Sequence, residues 1–301
     1  MGLPPIIAIV GTNASGKSSL GVRLAQKFNG EIVSADSRQV FKGLDLGSGK
    51  ISKEEMQGVP HHLLDVAEPN DFFSMADWQR LAYTAIEGIH SKNRLPFIVG
   101  GTGLYVASVT EGYLLSSFAP DLEYRNELEQ KTTEELAQML NAALPQNGID
   151  PKNRNRVMRM LEKLKAGDTG VPKSERRYAV LKLGVNWDRE TLKARIDARL
   201  EKRVTAGMTD EVRRLMAEGA RTEFLLKLGL EYKYITRYLL GEYKSEAEML
   251  TELADAIKSF AKRQVTWFKR DKEINWLNMN ADPFDEACAL IENFLNSEHY
   301  A

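Results

Sequence analysis

Residues 11 to 18 read Gly11-Thr12-Asn13-Ala14-Ser15-Gly16-Lys17-Ser18, the pattern G-x-x-x-x-G-K-[ST]. Such a loop works only where a strand delivers the chain to it and a helix opens directly after it. Both are readable here. Residues 6–10 are a short apolar, β-branched run bounded by Pro5 and Gly11, as in a buried parallel strand. From Ser18 to Phe28 the spacing of Leu20, Leu24 and Phe28 puts an apolar stripe on one helix face. Unpaired N–H groups and the dipole at the helix start both favour an anion. Lys17 adds a point charge, and the Ser18 hydroxyl can ligate a Mg²⁺ that bridges phosphate oxygens. Residues Gly11 to Ser18 are expected to hold a diphosphate or polyphosphate group.

The rest of the chain extends this pattern. Residues 31–34 and 95–99 read as further strands, the latter ending in Gly100-Gly101-Thr102-Gly103. Ser74 with Asp77 forms a capping box for a helix reaching about His90. Residues 178–183 and 274–277 read as later strands. Asp188, Thr209 and Ser245 mark the starts of three more helices. Alternating strands and helices imply an α/β fold, a P-loop NTPase-like doubly wound parallel sheet with ligands at the carboxyl ends of the strands. After Ser116 the character changes. Residues 121–165 have helical spacing, with a Thr132/Glu135 capping box followed by Leu136, Leu140 and Leu144 on one face. The expected division is a core over 1–117, a helical insertion over 118–177 and the second part of the core over 178–301.

Charge narrows the function classes. The formal net charge is −1, yet residues 152–177 carry nine Lys or Arg against three acids. A basic stretch in a near-neutral chain suggests a polyanion, although a charge run alone reads first as a solvated helix face. Cys288 is the only cysteine, so neither a disulfide framework nor a zinc ribbon can form within the chain. No signal peptide and no apolar run of membrane-spanning length is visible, and the expected location is the cytoplasm.

Most P-loop ATPases also carry a strand ending in Asp. Here the strand over 95–99 ends in Gly-Gly-Thr, and the strand-end carboxylate near the loop is Asp36, in Ser34-Ala35-Asp36-Ser37-Arg38-Gln39. Asp36 can cap the turn after its strand, or it can serve as a base facing the loop.

These motifs together resemble the tRNA isopentenyltransferase family, the bacterial tRNA dimethylallyltransferases. The resemblance rests on Gly11–Ser18 and on the run from Ser34 to Lys50. It rests equally on Pro60-His61-His62-Leu63-Leu64-Asp65, Val99-Gly100-Gly101-Thr102-Gly103-Leu104-Tyr105 and Ala261-Lys262-Arg263-Gln264-Val265-Thr266-Trp267-Phe268. It implies transfer of a dimethylallyl group from dimethylallyl diphosphate to N6 of the adenosine 3′ of a tRNA anticodon. The loop then holds a leaving group rather than ATP, and the partners are the anticodon stem-loop and dimethylallyl diphosphate, with no membrane and a monomeric chain. By the same resemblance Asp36 is the base, Lys17 and Arg199 are the diphosphate cations, and Thr102 helps hold the acceptor. The tRNA contacts it implies are Asp36, Ser37, Arg38, Gln39, Thr102, Arg125, Asn155, Arg156, Val157, Met158, Arg159, Leu228, Gly229, Leu230, Glu231, Tyr232 and Lys233.

Some features depart from the family pattern. The helical insertion is short, and Glu231 stands where a glycine is common. His61 and His62 lack a third ligand nearby, and Trp267 and Phe268 read as core rather than as a stacking platform. A small-molecule P-loop kinase, an isopentenyltransferase acting on free adenine nucleotides and a nucleotide-switched RNA-binding protein stay open at this point.

Overall fold

The computed structural model describes residues 2–115, 121–168 and 173–297. Residues 118–120 and 169–172 of the expected insertion lie outside the described residues. The chain opens with β1 (Pro5–Val10), α1 (Lys17–Lys27) and β2 (Gly30–Ser34). A one-turn helix α2 (Lys53–Met56) leads to a two-residue strand, β3 (His61–His62). Then follow α3 (Met75–His90), β4 (Leu95–Gly100) and α4 (Gly103–Thr110). The capping box Ser74/Asp77 is formed at the start of α3.

The next segment is a compact unit of its own, Tyr113–Glu175. It contains β5 (Tyr113–Leu114), α5 (Leu122–Glu129), α6 (Thr133–Ala143), α7 (Arg154–Lys165) and β6 (Lys173–Ser174). The Thr132/Glu135 capping box starts α6, and β5 pairs antiparallel with β6. Leu128, Leu136, Leu140, Val157, Met158 and Leu161 make its core, so helix pairing buries one small apolar cluster.

The larger unit resumes with β7 (Ala179–Asn186), the Asp188-capped α8 (Arg189–Thr205) and α9 (Met208–Ala217). Two short helices, α10 (Thr222–Leu228) and α11 (Leu230–Leu239), are joined at Gly229. The long α12 (Glu246–Phe268) starts on the Ser245 cap, and β8 (Ile274–Asn278) and α13 (Phe284–Leu295) close the chain.

The sheet order is β3-β2-β4-β1-β7-β8, and every pairing is parallel. Parallel neighbours need crossover helices, which cover both faces of the sheet. Alternation along β1 shows this directly. Ile6, Ala8 and Val10 enter the core shared with α3, α8 and α12, while Ile7 and Ile9 enter the core beneath α1 and α13. From β1 the chain runs to β2 on one side, while β7 lies on the other. A crevice therefore opens beyond the carboxyl end of β1, where the P-loop begins. Among the described residues no helix is long and apolar enough to cross a membrane.

Candidate active site

Backbone handedness shapes the P-loop first. Ala14 has φ 60° and Gly16 has φ 85°, both left-handed. Alternating handedness turns successive N–H groups inward and makes an anion-binding nest. Side chains then draw the loop's carbonyls outward. Lys17 Nζ donates to Thr12 O at 3.1 Å, Arg195 Nε to Ala14 O at 2.9 Å, and Trp187 Nε1 to Ser15 O at 2.9 Å. Arg195 also lies over the Trp187 ring, 4.5 Å from its centroid. The Asn13 amide donates to Gln264 Oε1 at 3.0 Å, so that N–H is committed to the protein. The amides of the first α1 turn have no helical acceptor and remain for a ligand. Ser15 Oγ is buried with no partner, and Ser18 at the helix start is exposed.

The Gly-Gly-Thr segment after β4 is more than a turn. Gln264 Nε2 donates to Gly101 O at 2.9 Å, so one buried glutamine ties this segment to the P-loop. A Cβ on Gly101 would lie 2.6 Å from Gln264 Nε2, 3.2 Å from Gly11 O and 3.6 Å from Lys17 Nζ. A side chain there would displace the Gln264 amide that ties the two segments. Thr102 Oγ1 accepts from the Ser37 amide at 3.1 Å, and the Thr102 amide donates to Ala35 O at 3.1 Å. The threonine therefore holds the backbone on both sides of Asp36.

Asp36 does cap its turn, since its Oδ1 accepts from the Arg38 amide at 3.0 Å. It also sits within the field of Lys17, Arg38, Arg199 and Arg203. The two readings of Asp36 are thus compatible, because one oxygen makes the turn and the carboxylate still faces cations. Gln39 is fixed at both ends. It accepts from Ser34 Oγ at 3.1 Å and donates to Gly49 O at 3.2 Å.

Arg195, Arg199 and Arg203 recur every four residues on α8, so they share one helix face. Arg199 donates to Gly49 O at 3.2 Å. A Cβ on Gly49 would fall 2.4 Å from Arg199 Nη2 and 1.5 Å from Arg203 Nη2, so both guanidiniums lie against this residue, whose φ of 63° itself favours glycine. Burial and the neighbouring Arg203 depress the Arg199 pKa to about 10. Burial and the nearby Arg199 likewise depress Lys17, to about 8, although Asp36 opposes the shift.

Gly49 belongs to a loop set by Glu211. That buried carboxylate accepts from the amides of Asp45, Leu46 and Gly47 at 3.1, 2.6 and 3.0 Å, and from Tyr232 Oη at 3.0 Å. Lys50 completes the loop by pairing with Asp45 and Asp65.

The residues expected to meet tRNA fall into different settings. In the helical unit, Asn155 and Arg156 are exposed on α7, while Val157 and Met158 turn into its core. Arg125 and Arg159 both hold the buried Glu162, at 2.6 and 3.0 Å. In the larger unit, Lys233 is exposed and Leu228, Gly229 and Leu230 are half-buried, whereas the Glu231 and Tyr232 side chains are 1% and 0% exposed. His62 pairs with Glu31, and His61 Nδ1 lies 2.9 Å from Val59 O, so both histidines serve the sheet edge. Phe268 is buried, and Trp267 packs against Gly103.

Sequence reasoning assigns no role to Arg195, Arg203, Gln264 or Glu211. The four-residue spacing on α8 was a usable signal for the arginines. Gln264 was a polar residue within the apolar stripe Leu253, Ile257, Ala261, Phe268. Nothing in the sequence marked Glu211.

Residues 39–271 match the family model described as IPP transferase, and residues 4–71 match that described as Isopentenyl transferase. A "tRNA dimethylallyltransferase 2" of Citrifermentans bemidjiense is 41% identical over 96% of this chain and 95% of its own. A "tRNA dimethylallyltransferase" of Halalkalibacterium halodurans is 38% identical over 96% of each. The solved tRNA isopentenylpyrophosphate transferase of Bacillus halodurans superposes with a TM-score of 0.73 at 38% identity, covering 97% of this chain and 95% of that one. A eukaryotic dimethylallyltransferase acting on tRNA superposes at 0.79 with 22% identity, covering 98% and 82%, and shares the fold. These relatives do not favour the kinase or free-nucleotide alternatives. The chain belongs to the IPP transferase family, and it is a prenyltransferase of the tRNA dimethylallyltransferase kind.

Proposed function

We propose that this chain transfers a dimethylallyl group from dimethylallyl diphosphate to N6 of the adenosine 3′ of the anticodon in certain tRNAs. The observation that carries the reading is the linkage of three features. Gln264 ties the P-loop at the Asn13 amide to Gly101 O, Thr102 beside it holds the Ser37 amide next to Asp36, and Lys17 feels the Asp36 charge. A cationic cradle and a carboxylate thus share one strand-end crevice. Breaking the allylic C–O bond leaves its electron pair on diphosphate, where Lys17, Arg199 and the loop amides offset the developing charge. The amine lone pair forms the new C–N bond, and the amine proton passes to Asp36.

A divalent cation fits the loop. The exposed Ser18 hydroxyl is a hard oxygen donor at the helix start, as Mg²⁺ prefers. When bound, the ion would neutralise phosphate charge, with Ser18 as its protein ligand. Among the described residues the acidic cluster Glu111, Asp271 and Glu273 is a poor rival, because Lys182 and Arg176 already occupy its carboxylates.

The target base must be splayed out of the anticodon loop to reach such a crevice. The helical unit Tyr113–Glu175 is proposed to grip the stem through Asn155 and Arg156, with Lys233 as a contact on the core unit. The test is mass spectrometry of unmodified tRNA incubated with the protein, Mg²⁺ and dimethylallyl diphosphate. One added five-carbon unit on the adenosine beside the anticodon is the expected product. Unchanged tRNA overturns the reading.

A further inference from the structure

Glu231 is buried among the cations of the site rather than presented to RNA. Its side chain is 1% exposed. Oε2 accepts from Arg38 at 2.5 Å and Oε1 from Arg203 at 3.1 Å, so one carboxylate bridges two arginines. Arg38 follows the Asp36 turn, while Arg203 presses on Gly49 beside Arg199. Glu231 also lines a small pocket with Asn13 and Ala14 of the P-loop and with Arg199 and Arg203. Around this pocket Lys17, Arg38, Arg199 and Arg203 act on Asp36 and Glu231, and these six groups carry two positive charges in excess. Without Glu231 the excess would be three.

We infer that Glu231 is a positioning residue that sets the charge of the anion pocket, by holding Arg38 and Arg203 away from the diphosphate so that Lys17 and Arg199 bind it and product diphosphate can leave. The backbone is shaped to deliver this carboxylate. Gly229 has φ 73° with ψ −176°, a backbone that favours glycine, and Leu230 has φ 40°; this turn starts α11 just before the buried Glu231. A non-glycine residue in that region is strained, and the two ion pairs offset the strain. Two consequences follow for Glu231→Gln. Freed arginines would hold diphosphate more tightly, and the less balanced field would make Asp36 a weaker base. KM for dimethylallyl diphosphate and kcat should therefore fall together. A purely structural role predicts the reverse for KM, because a distorted site binds less well.

The inference rests on the proposed function, and the experiment separates the two. Inorganic diphosphate with Mg²⁺ is titrated calorimetrically into the full chain and its variants. Glu231→Gln should tighten binding about tenfold, since one opposing charge near the anion is gone. Arg203→Gln, which leaves the Glu231 charge less compensated beside the anion, should weaken it by a similar factor, and the double variant, with the net charge restored, should return close to wild type. Glu231→Asp, which keeps the charge, should restore most of kcat. Unchanged or weaker diphosphate binding in a folded Glu231→Gln overturns the inference. If that variant does not fold, unchanged binding in Arg203→Gln overturns it instead. Should Lys17→Ala also leave diphosphate affinity unaltered, the proposed function itself fails, whatever Glu231 does.

Discussion

Two lysines of the larger unit carry their charge in opposite surroundings. Lys17 lies at the carboxyl end of the sheet among Arg38, Arg199 and Arg203, with Asp36 as the opposing charge, and its pKa is held down near 8. Lys182 lies on β7 opposite Ile274, the first residue of β8, and is 3% exposed. It pairs with Asp271 at 2.7 Å, Glu273 at 3.0 Å and Glu111, and although burial opposes it, these carboxylates raise its pKa. The Lys182 charge is matched from within by its carboxylates and asks for no anion. The Lys17 cluster is left under-neutralised, as the proposed diphosphate site requires. A buried charge therefore marks a binding site where its counter-charge is missing, not merely where it is buried.

The sharpest way to break this contrast is through the carboxylate facing Lys17. Asp36→Asn should lower the single-turnover rate by about 10²–10⁴-fold if Asp36 takes the amine proton. Asn still accepts from the Arg38 amide, so the turn should survive and the melting temperature should barely move. The tRNA dissociation constant should change far less than the rate. Near-normal turnover with a lower melting temperature would leave Asp36 only its turn.

The lysines themselves come next, and they should fail in different assays. Lys17→Ala should cost about 3 kcal/mol at the transition state, roughly a hundredfold in rate, with the fold intact. Lys182→Met should leave the turnover of folded protein near wild type yet destabilise it by about 2–3 kcal/mol, less than a fully buried pair because its carboxylates reach water. Urea denaturation and steady-state assays on both variants decide it. Equal losses in both assays for both variants would erase the distinction.

The fold was largely legible because local rules and tertiary demands agree there. The apolar run at residues 6–10, the loop and the Ser74 and Thr132 boxes each specify their element through nearby residues. The strand β3 was not legible, since two residues carry no period and its existence depends on pairing with Ile32 and Val33. In the site, Lys17, Asp36 and Thr102 announced themselves by motif, whereas Glu211 and Gln264 act across 164 and 163 residues of chain, on Gly47 and Gly101. The basic stretch is the least specific signal, because internal pairs account for much of it. Arg154, Arg159, Lys163, Lys165, Arg176 and Arg177 are engaged by carbonyls, carboxylates or aromatic rings of the protein itself. A count of charges in sequence cannot reveal such internal pairing.

Titration sharpens the contrast without mutation. Lys17 has a folded pKa near 8, below its ordinary 10.5. Below pH 8 it is charged in the folded and unfolded chains alike. Between about 8 and 10.5 only the unfolded chain holds the proton, so this group's unfavourable contribution to stability is relieved as pH rises. Diphosphate binding runs the other way, because the anion favours charged Lys17. Affinity should fall above pH 8, by at most about tenfold per pH unit, with proton uptake on binding. Lys182, with its raised pKa, contributes stability that is present below 10.5 and lost only as pH passes above its folded value. Calorimetry in buffers of different ionisation enthalpy checks the uptake, and Lys17→Met should abolish it. Proton uptake that persists in Lys17→Met would assign the titration to another group.

The smallest expected effect tests whether the helical unit has any unspent charge. Arg156 is exposed on α7, while Arg125 and Arg159 are held by Glu162. A phosphate contact made by Arg156 releases counterions when tRNA binds. Arg156→Ala should then reduce the log–log salt slope of tRNA binding by about 0.7–0.9 and leave dimethylallyl diphosphate affinity alone. Arg159→Ala should behave differently. It removes one of two partners from a buried carboxylate, so it should lower the stability of the helical unit while changing the salt slope less. Tracking the slope and the melting curve of each variant separates a cation that meets RNA from one that holds Glu162. If the slope shift appears in Arg159→Ala and not in Arg156→Ala, the Glu162 pairs open on binding, and the helical unit then resembles the Lys17 cluster more than the Lys182 one.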